Sequence, residues 1–234
     1  IVLASISATP KQQLEGDMGL PPGPCNRCNL TYKELVQIDS CDAEHERPYL
    51  LTFAGNFRAN TRQTLRQLHN GQDIIIGTSE EVKHILGVSD EKESFRKLSV
   101  SSKFAAVPRG DNLFSYRFTE VLGCGAIPVV YANDWVLPFR KELIEPSEYA
   151  IILKEEDVLN TVQVLSQIPH HVRCRLRQNG VNFYERYLKT GEGVIQGIVE
   201  SLELLHAKKE TKYGRGTSHP QNRGIPNKLS SNEK

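Results

Sequence analysis

Apolar runs and amphipathic segments alternate along the chain from about residue 48 to residue 206. Short apolar runs predict strands, and apolar positions spaced three and four residues apart predict helices. The predicted strands are Tyr49–Phe53, Asp73–Ile76, Phe104–Val107, 126–131 and Tyr149–Leu153. The predicted helices are Thr61–His69, Glu93–Val100, 115–123, 155–167, 170–188 and 192–206, and residues 78–92 are predicted to form a loop. Because strands alternate with helices, we predict an α/β fold with a doubly wound parallel sheet.

The two ends of the chain lack this periodicity. Residues 1–47 include a stretch rich in Pro, Gly and Cys, and we expect a loop-rich segment there. Residues 207–234 are rich in Gly, Ser, Asn, Lys and Pro, which predicts a disordered basic tail. The predicted folded domain is therefore 48–206.

The segment Ser102–Glu120 carries the strongest functional signal. Its apolar run ends at Pro108, which cannot donate to a sheet, so the chain leaves the predicted sheet there. Gly110 permits close approach of the backbone to a ligand, and Ser115 is a candidate N-cap for the following helix. The pattern predicts a strand, a turn and a helix start, which is the usual ligand site of open α/β sheets.

Three charged residues of this unit suggest what it binds. The guanidinium groups of Arg109 and Arg117 can fork onto phosphate oxygens, and the Glu120 carboxylate can accept hydrogen bonds from the vicinal hydroxyls of a sugar. We therefore predict a site for a nucleoside diphosphate. The alternative is structural, because Arg117 and Glu120 are also spaced for an exposed ion pair on one helix.

A second group of candidates follows the strand Tyr49–Phe53. Gly55, Asn56, Arg58 and Arg62 lie where the next helix begins, again beyond the carboxyl end of a strand. They predict a second anion-contacting edge that faces the first one. A capped helix with solvated arginines is the alternative interpretation.

Two longer segments carry a family resemblance. The first reads KFAAVPRGDNLFSYRFTEVLGCGAIPVVYANDWVLPF and spans 103–139, and the second is Arg47–Arg58, followed by Thr61–Leu65. Together they resemble the exostosin family of glycosyltransferases, whose members have similar VPRG, S-x-RF-x-E, IPVV and W-x-LPF elements. The likeness covers roughly residues 48–205.

The resemblance implies a Rossmann-like domain that forms the C-terminal, donor-binding half of a GT-B fold, with the other half missing from this chain. It implies inverting transfer of a sugar, most simply from a UDP-sugar, to a hydroxyl of a glycan or glycoprotein acceptor. It also implies a type II membrane protein of the Golgi lumen with its N-terminal anchor outside this chain, and leaves open a hetero- or homodimer. No catalytic base is assigned. A non-catalytic nucleotide-sugar-binding module or supporting subunit is the alternative function.

The charge distribution and the motifs of the chain argue against several classes of ligand. Formal net charge is +1, but residues 207–234 contain seven Lys/Arg and two Glu, so the remainder has 22 basic and 26 acidic side chains. Such a body is not expected to bind nucleic acid. The chain has no G-x-G-x-x-G motif, which argues against a dinucleotide-dependent oxidoreductase, and no Asp-x-Asp triplet, so we expect no cofactor and no divalent metal.

The five cysteines allow two interpretations. Cys25 and Cys28 have the spacing of half a zinc site, but no second Cys/His pair at metal spacing follows. A disulfide among Cys25, Cys28 and Cys41 is the preferred prediction, whereas Cys124 is expected to be packed in the small-residue turn. The triplet Asn29–Thr31 is a glycosylation sequon in the same segment.

Overall fold

The computed structural model describes residues 4–5, 18–21, 23–25, 27–38, 47–139 and 143–213. Two short strands, β1 (Ala4–Ser5) and β2 (Met18–Gly19), pair in parallel apart from the main sheet. The main sheet has the order β4-β3-β5-β6-β7 and all neighbours are parallel. Its strands are β3 (Tyr49–Ala54), β4 (Ile74–Gly77), β5 (Ser102–Pro108), β6 (Ile127–Tyr131) and β7 (Ile151–Leu153).

Helices connect these strands. In chain order they are α1 (Tyr32–Ile38), α2 (Asn60–Arg66), α3 (Ser79–Leu86), α4 (Glu91–Val100), α5 (Arg117–Leu122), α6 (Thr161–Ser166), α7 (His170–Phe183) and α8 (Gly191–Tyr213). A π-helical turn at Tyr184–Leu188 continues α7, and 3-10 turns occupy Pro146–Glu148 and Glu155–Asn160. In the described part of the chain, no helix has the length and hydrophobicity needed to cross a membrane.

The central strands of the main sheet are buried on both faces, whereas the edge strand β7 is partly exposed. Along β5, Phe104 and Ala106 join one hydrophobic cluster, whereas Ala105 and Val107 join another on the opposite face, as the period of two in a strand requires. The first cluster includes residues of α2, α6 and α7, and the second includes residues of α4 and α5. Parallel strands with helices on both sides confirm the predicted α/β fold.

The predicted loop at 78–92 is wrong over most of its length, because residues 79–86 form α3. The Thr78 side chain accepts a hydrogen bond from the Glu81 backbone N–H, and the Glu81 carboxylate accepts one from the Thr78 N–H at 2.7 Å. This reciprocal capping box begins the helix, and Gly87 ends it with a left-handed φ of 63°. Both signals are present in the sequence.

Two helix boundaries also differ from the predictions. Helix α5 begins at Arg117, and its N-cap residue is Tyr116, so Ser115 is not the N-cap. Helix α8 runs to Tyr213, so the predicted disordered tail is wrong for 207–213, and its remainder lies outside the described residues. Within the segment predicted as loop-rich, the described residues include β1, β2 and α1.

The predicted cysteine pairing is wrong. Cys28 forms a disulfide with Cys124, with a Cα–Cα distance of 5.4 Å and 96 residues between them in sequence. Cys25 is a free thiol, and Cys41 lies outside the described residues. Since the Cys28 sulfur is in a disulfide, it is not a zinc ligand. The error has a physical cause. The segment before α1 contacts the turn after α5 only in the folded structure, so the spacing of cysteines in the sequence does not predict this pairing.

The capping box of α3 leads to a stability prediction. Thr78→Ala removes the side-chain oxygen that accepts the Glu81 N–H, so it should lower the free energy of unfolding by about 1 kcal/mol. Urea-induced unfolding measures the change. Thr64→Ala is the matched control, because Thr64 is half-buried inside α2 and caps no helix, and alanine is a better helix former. Equal losses in both variants would contradict the role given to the cap.

Candidate functional site

A cleft of about 690 Å³ lies at the carboxyl ends of three neighbouring strands. Because the strands are parallel, the loops that follow β3, β4 and β5 meet at one edge of the sheet. These loops supply Gly55 and Asn56 after β3, Ser79 after β4, and most of residues 110–117 after β5. Arg27, from the segment before α1, completes the lining.

Seven of the nine residues named from the sequence line this cleft: Gly55, Asn56, Arg62, Gly110, Ser115, Arg117 and Glu120. The other two are Arg58 and Arg109. Arg58 is exposed, and its backbone N–H donates to the Asn56 side chain at 3.4 Å. The Arg109 guanidinium faces Glu155, with 3.8 Å between Nη1 and Oε1, while its backbone carbonyl accepts a hydrogen bond from Arg62.

Arg62 joins the two loops on either side of the cleft. Its Nη1 donates to Asn56 Oδ1 at 2.9 Å, and its Nε donates to the Arg109 carbonyl at 3.1 Å. The guanidinium carbon lies 5.6 Å from the centre of the Phe53 ring. Burial lowers the pKa of Arg62, and the charge of Asp111 opposes this shift. An arginine side chain remains charged after such a shift, so a fixed positive charge lies between the loops.

Glu120 is held by two arginines. Arg27 Nη1 donates to Glu120 Oε1 at 2.9 Å, and Arg117 Nη1 donates to Glu120 Oε2 at 2.7 Å. The exposed fractions of the three side chains are 26% for Arg27, 17% for Arg117 and 11% for Glu120. Each guanidinium carbon also lies 4.6 Å from the centre of the Phe95 ring, within the range of cation–π attraction.

The pKa shifts of these groups follow from burial and from Glu120. Burial lowers the pKa of Arg117, and the neighbouring Glu120 charge opposes that effect. For Arg27 burial acts in the same direction, but the hydrogen bonds and charges of Glu120 and Glu91 together outweigh it, so the pKa of Arg27 is raised. Burial and the charge of Glu120 raise the pKa of the nearby Cys25 thiol. That thiol is therefore protonated and uncharged at neutral pH. The cleft lining keeps an excess of positive charge, because it contains Arg27, Arg62 and Arg117 against Asp111 and Glu120.

Glu155 fixes the loops beneath the cleft. Its carboxylate accepts hydrogen bonds from Thr61 Oγ1 at 2.6 Å and from the Asn133 backbone N–H at 3.1 Å, and it faces Arg109. It thus connects the start of α2 with the loop after β6. This contact explains why the Arg109 side chain is directed away from the cleft.

Sequence reasoning missed several residues that line the cleft. Arg27 is 93 residues from Glu120 and belongs to no recognisable motif, so only the fold reveals it. Ser79 was hidden by the erroneous loop prediction. Phe114 and Tyr116 also line the cleft, and the Tyr116 side chain is 63% exposed. Their position next to Arg117 in the sequence is a signal that could have identified them. Among the described residues, no group of three His, Cys, Asp or Glu side chains is arranged to hold a metal ion.

Comparison with known proteins identifies the family. The Exostosin GT47 domain matches residues 11–168, which is more than half of the chain. The chain belongs to the exostosin GT47 family of glycosyltransferases. The exostosin-1 homolog of Caenorhabditis elegans is 32% identical over 163 residues, which cover 63% of this chain and 42% of that protein. Exostosin-1 of Drosophila melanogaster is 33% identical over 174 residues, which cover 68% of this chain and 23% of that protein.

This exostosin chain thus spans less than half of the length of these curated relatives. Among solved structures, it is similar to WaaG, a glycosyltransferase involved in lipopolysaccharide biosynthesis. The similarity has 14% sequence identity and a TM-score of 0.46, and it covers 85% of this chain and 61% of WaaG.

The shared carboxylate leads to a second stability prediction. Glu120→Gln removes the negative charge between two poorly exposed guanidiniums, so it should lower the free energy of unfolding by about 2 kcal/mol. Glu91→Gln is the matched control, because Glu91 also pairs with Arg27, at 3.2 Å, but is 57% exposed and should contribute at most about 0.5 kcal/mol. Urea unfolding compares the two. A smaller loss for Glu120→Gln than for Glu91→Gln would contradict this account.

Proposed function

We propose that this chain is the donor-binding half of a GT-B glycosyltransferase and that the cleft binds a nucleoside diphosphate sugar, most simply a UDP-sugar. The observation that carries the proposal is the convergence of Arg62, Arg117 and Glu120 in one cleft at the carboxyl ends of parallel strands. Its volume of about 690 Å³ is within the usual range for a site that binds a small organic ligand. Membership of the exostosin GT47 family supports sugar transfer as the reaction.

Arg62 and Arg117 are the groups proposed to hold the diphosphate. Each has at least one guanidinium nitrogen without a hydrogen-bond acceptor among the described residues, so each can still donate to a phosphate oxygen. Their positive charge would stabilise the diphosphate as negative charge develops on it during departure. Gly110 lines the cleft beside Arg62, and its lack of a side chain leaves the backbone accessible to a ligand there.

Glu120 is proposed to accept hydrogen bonds from the ribose hydroxyls. A carboxylate offers about four lone-pair sites, and the two arginines occupy only two of them. The exposed ring of Tyr116 is available for stacking on the base. Arg109, which sequence reasoning also placed at the diphosphate, acts in this proposal through its backbone carbonyl, and Arg58 is given no contact with the ligand.

In the proposed reaction an acceptor hydroxyl attacks the anomeric carbon of the donor while the bond to the diphosphate breaks, which inverts the configuration. The acceptor proton passes to a general base that this chain is not proposed to supply. The acceptor is proposed to be a glycan or glycoprotein. The Cys28–Cys124 disulfide supports an oxidising compartment, consistent with the Golgi lumen and with the type II topology that the family resemblance implies.

Replacement of Arg117 tests the diphosphate site. Arg117→Ala removes charge-assisted hydrogen bonds to phosphate, so UDP should bind about 10- to 100-fold more weakly, while Arg117→Lys should lose less because it keeps the charge. Isothermal titration calorimetry with UDP measures both. Arg66→Ala is the matched control, because Arg66 pairs with Glu81 on the outer side of α2 and does not line the cleft. Equal affinity in all four proteins would reject the site.

The response to chelator and salt tests how the charge is neutralised. If arginines alone hold the diphosphate, UDP affinity should survive excess EDTA and weaken as salt rises from about 50 to about 500 mM, because salt screens the attraction between guanidinium and phosphate charges. Titrations with and without EDTA and manganese make the comparison. Affinity that disappears with EDTA and returns with manganese would show that a metal ion, and not the arginines, neutralises the phosphates.

A further inference from the structure

Arg27 reaches the cleft from a part of the chain that sequence analysis left outside the folded domain. It lies 93 residues before Glu120, yet its Nη1 donates to Glu120 Oε1 at 2.9 Å. Arg117, the other partner of Glu120, lies on the same helix only three residues away. The direction of the carboxylate thus depends on one local contact and one contact from a distant segment.

Three contacts attach the segment that carries Arg27 to the domain, and they involve Cys25 before Arg27 and Cys28 after it. The Cys28 sulfur is bonded to Cys124, which follows α5. The Cys28 carbonyl accepts a hydrogen bond from Arg96 Nε at 3.2 Å, and the Cys25 carbonyl accepts one from the Tyr184 hydroxyl at 2.7 Å. These contacts leave little freedom to the backbone around Arg27.

The Arg27 side chain is constrained as well. Its guanidinium carbon lies 4.6 Å from the centre of the buried Phe95 ring, as does that of Arg117. A second hydrogen bond, at 3.2 Å, joins it to Glu91 at the start of α4. Arg27 and Arg117 hold one carboxylate oxygen each, so the remaining lone pairs of Glu120 have a defined orientation.

We propose that Arg27 is a positioning residue for ribose recognition: it orients the Glu120 carboxylate toward the vicinal hydroxyls of the nucleotide, and the Cys28–Cys124 disulfide holds Arg27 in place. The proposal rests on the proposed function, because it presumes that the cleft binds a nucleoside diphosphate. It goes beyond the proposed function because it gives a role to Arg27, which acts on the ribose through Glu120 and does not contact the phosphates.

The test compares UDP with 2′-deoxy-UDP, which lacks one of the two hydroxyls. The wild-type protein should bind UDP at least about 10-fold more tightly, as expected for a hydrogen bond to a charged acceptor. Arg27→Ala and Arg27→Met should reduce this ratio to about 3-fold or less, whereas affinity for 2′-deoxy-UDP should change little. Arg27→Met keeps apolar contact with Phe95, so it retains the packing if the alanine variant is poorly folded.

Two further variants distinguish the positioning role of Arg27 from effects of its charge and packing. Glu91→Gln removes only the exposed partner of Arg27 and should keep the wild-type ratio. A Cys28→Ser, Cys124→Ser double variant keeps Arg27 but removes the covalent attachment of its segment, so the ratio should fall toward that of Arg27→Met. Circular dichroism and thermal unfolding establish that each protein is folded before titration.

The outcomes distinguish the two proposals. Binding of UDP by the wild-type protein with an unchanged ratio in Arg27→Met would overturn the positioning role and leave the proposed function standing. Equal weakening of UDP and 2′-deoxy-UDP would show that Arg27 contributes only its charge to phosphate binding, which also overturns the role. No binding of UDP by the wild-type protein would overturn both proposals.

Discussion

The parallel direction of the main-sheet strands is the constraint on which the cleft depends. Since β3, β4 and β5 are neighbours and run the same way, the loops that follow them leave the sheet at one edge. Residues far apart in sequence, such as Asn56, Ser79 and Arg117, therefore line one cleft. Burial of the sheet on both faces keeps these strand ends fixed, because neighbouring side chains of β5 pack into separate hydrophobic clusters.

The fold could be predicted from the sequence where local pattern and tertiary burial agree. Short apolar runs bounded by turn residues, such as Phe104–Val107 and 126–131, favour buried strands, and the structure has β5 and β6 there. The loop prediction for 78–92 was wrong because most side chains of α3 are polar and only Val82 in this helix is fully buried. The apolar pattern of the segment is therefore weak, although its capping box predicts a helix. The local signals for a helix are nevertheless in the sequence, since Thr78 and Glu81 form the capping box and Gly87 ends the helix.

The candidate site was predictable only in its local parts. Arg117 and Glu120 share one helical turn, so their proximity follows from helix geometry. The contact of Arg27 with Glu120 and the pairing of Cys28 with Cys124 span 93 and 96 residues, and no local pattern specifies which distant segments meet. Ser115 shows a subtler limit: it lines the cleft as expected but does not cap α5, because the chain turns into the helix one residue later.

The arginines around the cleft divide into two groups with different physical tasks. Arg62 and Arg117 have burial-lowered pKa values and uncommitted donors, so they are the groups that gain most from an anionic ligand. Arg27 and Arg109 are oriented by the carboxylates of Glu120 and Glu155, and Arg117 shares Glu120 with Arg27. Because a guanidinium stays protonated throughout the physiological pH range, this division gives the cleft a permanent positive charge. The carboxylates thus orient the arginines, while Arg62 and Arg117 each keep a guanidinium nitrogen that has no acceptor among the described residues.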